Sequence, residues 1–496
     1  IVSYNPTSSV TSAINPSLAP LFPGTTVLYP QVYAEIAAQQ ARGPRVVNID
    51  GPTGNTSQVL GAINTTTLTL GDNWTVKNIA SWREREVWSG YDYDGSPYPL
   101  AHDAGPVDNV TTNITEELQV QFSWDKFQAT AGYFYEEITR PEHLFFQFLQ
   151  YNPYPSPSAA SNVFGPIYLP QGPYGADSVD SFEKRRSQAG YAQVTYSVTD
   201  RLSLTAGARY THDFRNAGSE TALVLPGYGL PDDYLRLGAS SGRVTGDATT
   251  WDLSALYEVT DELNIYGKVA RGYRPGGINS TPSGTGGVEF EPEFVTDYEV
   301  GFKYAGLMHD WRVTANVDAF YDEYTDIQRT VTNAGTIGTR TDNAAAATIW
   351  GTDFDVTVEP AEALSLQVSY TYLNASYDEY IDVLYGDLTD SMLASSPEHQ
   401  IVIVPKYIPM SNDMGDVVMQ ATAYYQSETT FDIFNTPNGN PVTAAGVPGS
   451  VVPDYWKVDA RIDWKNIKQS GVDLGFYVQN VFDKEYVLSS TNLQPV

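Results

Sequence analysis

Few side chains in this chain could do covalent chemistry, and they are poorly spaced for it. The five histidines, His102, His143, His212, His309 and His399, lie far apart in sequence. None is paired at metal-ligand spacing, so an isolated surface histidine is the expectation for each. His309 falls in a short turn and the other four in or near loops. There is no cysteine, which excludes a disulfide scaffold, thiol catalysis and Cys-ligated metals. Asp92-Tyr93-Asp94-Gly95 resembles the start of a calcium loop but lacks the third acidic position and the closing Glu, so it reads as a turn. No Ser/His pair marks a hydrolytic site. The sequence points to no catalytic residue, no metal ligand and no cofactor.

Binding residues are easier to find. Tyrosine and proline crowd the stretch 151–174, where Tyr151, Tyr154, Tyr168 and Tyr174 could stack on an aryl compound, a catecholate or a sugar. They can equally pack loops on one another. Tyr273 and Arg274 fall at a strand-to-loop junction. An arginine there could attract an anionic ligand, or pair with acidic loop residues or lipopolysaccharide phosphate.

The elements that must carry these residues are strands. The chain has 496 residues, with 35 Tyr, 40 Gly and 31 Pro. That mix suits strands and loops better than helices. No apolar run approaches the ~18 residues of a membrane-spanning helix. A transmembrane strand needs only about 10 alternating residues, so the mean hydropathy of -0.29 does not argue against a membrane protein. Acidic residues number 59 against 28 basic ones, for a net charge of -31. Non-specific nucleic-acid binding is excluded by that balance. Solvated loops account for most of the acid.

Residues 1–58 show no period of two and read as a loop region, in which Val32 to Arg42 could form a short helix. From residue 59 onward the alternation is regular. Trp456, Val458, Ala460, Ile462 and Trp464 alternate with Lys457, Asp459, Arg461 and Asp463. Trp311 to Ala319, Leu364 to Tyr372, Leu202 to Tyr210 and Phe127 to Tyr135 repeat the pattern. A soluble sandwich would fill its apolar faces with Leu, Ile and Val. Here those faces carry many Ala and Tyr, with aromatics at their ends, which suits lipid and its interfaces. The opposite faces suit a wet lumen.

Connections are unequal. Short turns fall near 71–73, 124–126, 199–201, 260–262, 306–310, 360–362, 411–415 and 466–471. Long irregular segments separate them, at 140–186, 213–249, 276–296, 328–348, 377–398 and 427–453. Eight short turns imply sixteen strands. The expected fold is all-β, a transmembrane antiparallel barrel with long outer loops and short inner turns. Both ends of the chain would then lie on the outer side, so an odd number of strands is expected before Ile1 and at least one after Val496.

The run Tyr266-Gly267-Lys268-Val269-Ala270-Arg271-Gly272-Tyr273-Arg274-Pro275-Gly276-Gly277-Ile278-Asn279 resembles a motif of the TonB-dependent outer-membrane receptors, above all their sphingomonad and related proteobacterial branch. Glu291-Pro292-Glu293 with Tyr298-Glu299-Val300-Gly301, Phe320 to Gln328, Asn343-Ala344-Ala345 and Val478 to Tyr486 resemble further pieces, in the same order. The resemblance implies a barrel of about 22 strands with an N-terminal plug. This chain would supply strands 6 to 21, without plug, TonB box or last strand, over residues 59–496.

The resemblance also implies energised uptake of a scarce nutrient, most often a ferric siderophore, driven by the TonB-ExbB-ExbD complex through the plug. Alternatives are a saccharide, vitamin or aromatic cargo, or a passive porin or structural surface barrel. An outer-membrane enzyme fits least. Asn-X-Ser/Thr sites such as Asn109 and Asn113 carry no meaning in a bacterial outer membrane. On the strands flanking the motif, Val269, Val300, Phe302 and Tyr304 should face lipid, and Lys268, Glu299 and Lys303 the lumen. Arg271 should face outward unless a bulge at Gly272 turns it in.

Overall fold

The computed structural model describes residues 53–90, 101–103, 109–148, 176–224, 234–279, 289–332, 339–382, 385–431 and 451–487, with a few more at 38–49, 92 and 97. Eighteen strands join in one antiparallel sheet. Two of them, Ala101–Asp103 and Gly386–Asp387, are very short. The other sixteen form the wall. They are β1 (Gly54–Leu70), β2 (Trp74–Gly90), β3 (Val110–Trp124), β4 (Phe127–Phe148), β5 (Ala176–Ser197), β6 (Leu202–Val224), β7 (Tyr234–Glu258) and β8 (Leu263–Arg274). Then follow β9 (Glu293–Met308), β10 (Trp311–Thr332), β11 (Thr339–Ala361), β12 (Leu364–Asp382), β13 (His399–Asn412), β14 (Gly415–Gln426), β15 (Tyr455–Lys465) and β16 (Leu474–Val478).

Every wall strand pairs with the next in sequence, an up-and-down meander. All eight short connections stand where the turn residues predicted them. Among the described residues, no strand pairs with the outer edges of β1 and β16.

The register carries each face from strand to strand. Lys268 stands opposite Glu299 and Val300 opposite Gly267, as the alternation requires. One face is charged. Lys268 bridges Asp297 and Glu299 at 2.8 and 2.6 Å, and Asp318 lies opposite Asp353. The other face is apolar yet exposed, with Val300 at 62% and Trp124 at 66%. Such surface is stable only against lipid.

Tryptophans mark the thickness of that band. Trp74 and Trp82 are eight residues apart on β2, as are Trp456 and Trp464 on β15. At ~3.3 Å per residue and a ~40° tilt, that separates the two levels by about 20 Å. Trp124 and Trp311 share the lower level beside short turns, and Trp251 and Trp350 the upper one. These are interface girdles.

The strands run on past the upper girdle. The stretch 140–186 reads as irregular in sequence, but β4 continues to Phe148 and β5 begins at Ala176, still paired. β6 and β7 likewise extend through 213–224 and from Tyr234. Above the membrane both faces meet water, so the period of two fades while the ladder persists. In the segment 1–58, residues 38–39 and 41–42 have helical backbone, and β1 starts at Gly54.

A lipid-facing wall needs no central core, and the main apolar cluster is small and lies above the membrane. It joins Ile327, Ala345, Ala347, Tyr377, Tyr380, Leu388 and Leu393.

Candidate ligand-facing mouth

The motif stretch forms the upper rim. Strand β8 parts from β7 after Arg271, which stands opposite Trp251. Its pairing with β9 continues to Arg274, opposite Glu293, without a register shift. Arg271 therefore keeps the outward face, its guanidinium stacked 4.5 Å from the Phe294 ring.

Beyond Arg274 the chain is tied down on both sides. Gly277 and Ile278 pair with Phe290 and Glu289. The Gln328 side-chain amide donates to the carbonyls of Pro275 and Glu291, each at 3.0 Å. Its backbone N–H donates to a Glu293 carboxylate oxygen at 2.8 Å. A bulge in β10 aims it there: Asp326 has φ 56°, and the register shifts between Tyr324 and Ile327. Asn343 donates to the carbonyls of Glu291 and Asp326 and accepts from the Glu291 N–H at 2.6 Å. Asn279 exchanges two hydrogen bonds with the backbone of Thr341.

On the β6 side, the Tyr273 hydroxyl donates to Asp213 Oδ2 at 2.5 Å. The Arg215 guanidinium lies 5.8 Å from the Phe290 ring and pairs with Glu183 at 2.5 Å. Burial pushes the Glu183 carboxyl up, but the guanidiniums of Arg185, Arg215 and Arg140 outweigh it and hold the group below its ordinary value. It stays an anion that fixes Arg215. On β11, Arg340 is fully buried, and its Nη2 donates to both carboxylate oxygens of Asp382 at 2.8 and 2.9 Å. Burial raises the Tyr380 hydroxyl above its ordinary value, so it stays neutral in the apolar cluster beside this pair.

This arrangement can hold a rim rigid and present polar groups toward a lumen. Of the residues expected to bind, Tyr273 is bonded to Asp213, and Arg274 is exposed at the rim. Tyr151, Tyr154, Tyr168 and Tyr174 lie outside the described residues. His212 sits within β6 rather than in a loop, bonded to Asp247 at 2.8 Å. Gln328, Asn343 and the Arg340–Asp382 pair were not singled out from sequence as functional. Gln328 and Asn343 did fall inside the stretches that resemble the receptor motifs, and that was their only signal.

A sixteen-strand meander with short turns at one end, a lipid-facing band between two tryptophan levels and a charged inner face defines a transmembrane β-barrel wall of outer-membrane type. The chain belongs to the TonB-dependent receptors: the family described as TonB dependent receptor-like, beta-barrel, matches residues 4–481. Its place is the outer membrane of Gram-negative bacteria.

The pesticin receptor of Yersinia enterocolitica is 21% identical over 328 residues, 64% of this chain and 42% of that protein. The catecholate siderophore receptor Fiu of Escherichia coli O157:H7 is 23% identical over 445 residues, 85% and 55% of the two chains. The chain spans about half the length of these relatives. The crystal structure of the ferric yersiniabactin uptake receptor FyuA from Yersinia pestis superposes with a TM-score of 0.63 at 18% identity, over 88% of this chain and 58% of that one. At that identity the likeness is one of fold.

Proposed function

We propose that this chain is the wall of a receptor that takes up a ferric siderophore through the outer membrane. The observation that carries the reading is the kind of relative it resembles: a catecholate siderophore receptor and a ferric yersiniabactin uptake receptor. The tyrosine-rich stretch supports an aryl-bearing chelate, because Tyr151, Tyr154, Tyr168 and Tyr174 offer rings for stacking. Tyr273 and Arg274 would complete that surface from the rim. Iron arrives within the chelate as cargo, so the wall supplies shape and polarity rather than ligands to the metal. Release inward would require the plug to be moved by the TonB-ExbB-ExbD complex.

The test is growth rescue. An iron-starved strain lacking its own receptors is given the full-length protein and fed aryl or catecholate ferric siderophores, saccharides or cobalamin one at a time. Rescue by a ferric siderophore, lost when TonB is deleted, is the expected result. Uptake of a saccharide with no siderophore rescue would sink the cargo assignment, and uptake that survives loss of TonB would sink the energised step.

A further inference from the structure

On the outward face above the upper girdle, cations gather in a chain whose net charge is -31. Trp251, Ala208, Ala192 and Ala131 share one level through the register of β4 to β7. Six residues above it on the same face stand Arg186, Phe214 and Glu137, and two residues further Lys184. Arg243, opposite Asn216, joins them from β7. The guanidiniums of Arg186 and Arg243 both lie over the Phe214 ring, at 5.8 and 5.2 Å. That ring holds two planar cations side by side on the outer surface of the wall. Glu137 pairs with Lys184 and Arg186, each at 2.9 Å, and one carboxylate offsets only one of those two charges. Asp180 and Glu220 bound the patch four residues higher, Glu116 bounds it on β3, and Asp247, paired with His212, bounds it from below.

We propose that Lys184, Arg186 and Arg243 form a docking site for the phosphates of an outer-leaflet glycolipid of the lipid A type. Height is the first argument. At ~3.3 Å per residue and a ~40° tilt, Arg186 sits about 15 Å and Lys184 and Arg243 about 20 Å above the tryptophan level, among headgroup sugars rather than acyl chains. Direction is the second, because the register turns them away from the lumen, where a transported ligand would pass. Chemistry is the third: a guanidinium presents paired donors to phosphate. The ring-held pair is organised before a lipid arrives, which lowers the ordering cost of binding. Arg271, outward on β8, adds a further cation at the level of Trp251, separated from Arg243 by the Asp247–His212 pair.

The test uses the full-length receptor in detergent, with bisphosphorylated lipid A, dephosphorylated lipid A and phosphatidylglycerol as separate probes. The double variant Arg186→Gln/Arg243→Gln should bind bisphosphorylated lipid A about tenfold more weakly than the parent, on the scale of two lost cation–phosphate contacts. Dephosphorylation should weaken binding to the parent by a similar factor. The lumen-facing control Lys457→Gln/Arg461→Gln should bind as the parent does. Correct folding is read from heat-modifiable gel migration. Should the double variant fail to fold, Arg243→Gln alone keeps the Glu137 ion pairs and should still lose several-fold. Unchanged affinity in the folded variant overturns the proposal. So does binding indifferent to phosphate, or tighter binding of phosphatidylglycerol than of lipid A.

Discussion

Asn279 and Thr341 hold each other by two hydrogen bonds across 62 residues of sequence: the Asn279 amide donates to the Thr341 carbonyl at 2.8 Å, and the Thr341 N–H donates to Asn279 Oδ1 at 2.7 Å. A side-chain amide here completes backbone pairing that no neighbouring strand provides. Gln328 and Asn343 do the same for Pro275 and Glu291. The rim segment after β8 is therefore latched to the tops of β10 and β11 by three amides.

Replacing Asn279 by Ala should leave the half-buried carbonyl and N–H of Thr341 without these partners. The local cost is about 1–3 kcal/mol. Hydrogen exchange in residues 275–279 and 339–343 should rise by about tenfold or more, while the membrane-spanning ladder stays protected. Equal exchange in both proteins would show that the latch does not hold the rim.

The Arg340–Asp382 pair should be the most sensitive point above the membrane. Both side chains are almost fully buried, so Asp382→Ala takes away both acceptors of Nη2 and leaves the guanidinium only the Asp342 carboxylate, at 2.5 Å from Nε. A buried charge left without any partner costs about 3–5 kcal/mol, and the remaining Asp342 contact brings the loss below that, whereas replacing both residues by apolar ones costs less still. Limited proteolysis should cut the Asp382→Ala variant within 377–398 and spare a Arg340→Met/Asp382→Leu variant to a greater degree. The reverse order of protection would contradict a buried ion pair.

The wall was legible because a bilayer imposes a period of two. In Trp456 to Trp464 every second residue meets lipid, and the strand, its faces and its turns follow from that pattern. Arg271 kept its outward face for the same reason. Above the membrane the constraint lapses. Toward β5, residues 214–224 pair as regularly as the strand below them, yet Arg215 and Phe214 show no apolar alternation to announce it. The latch was hidden for another reason: Gln328 acts only because a bulge at Asp326 re-aims it, and Asn279 meets Thr341 only through strand order. The residues that reveal the family are thus largely those that tie the rim together.

Two glycines on the lumen face should tolerate no side chain. Gly132 stands opposite Tyr191, and a Cβ there would meet the Tyr191 hydroxyl at 2.5 Å and the Leu118 carbonyl at 2.8 Å. Gly301 stands opposite Tyr266, with that ring and the Val317 carbonyl 2.8 and 2.7 Å from the same point. Each tyrosine uses the opening to reach a glutamate, Glu117 or Glu299, at 2.5 Å. Gly132→Val and Gly301→Val should each destabilise the barrel by about 1–3 kcal/mol through overpacking. Gly190→Ala, with open space around its Cβ, is the neutral control. A lower temperature of heat-modifiable gel migration for the valine variants, and not for Gly190→Ala, is the expected readout.

Glu137 should remain ionised far into acid. The donors from Lys184 and Arg186 hold its carboxyl at about 2, against an ordinary value of 4.5. Because the folded value is the lower one, its contribution to stability is complete above about 4.5, falls progressively below that, and is gone once the pH has fallen through about 2. Titration of 13C-labelled glutamate carboxylates by NMR in micelles should show one signal still ionised at about pH 3, absent from the Glu137→Gln variant. A midpoint near 4.5 for that signal would mean that the two cations are turned to solvent or to lipid rather than to Glu137. Lys184→Gln and Arg186→Gln should each raise the midpoint, because either substitution removes a donor that stabilises the carboxylate.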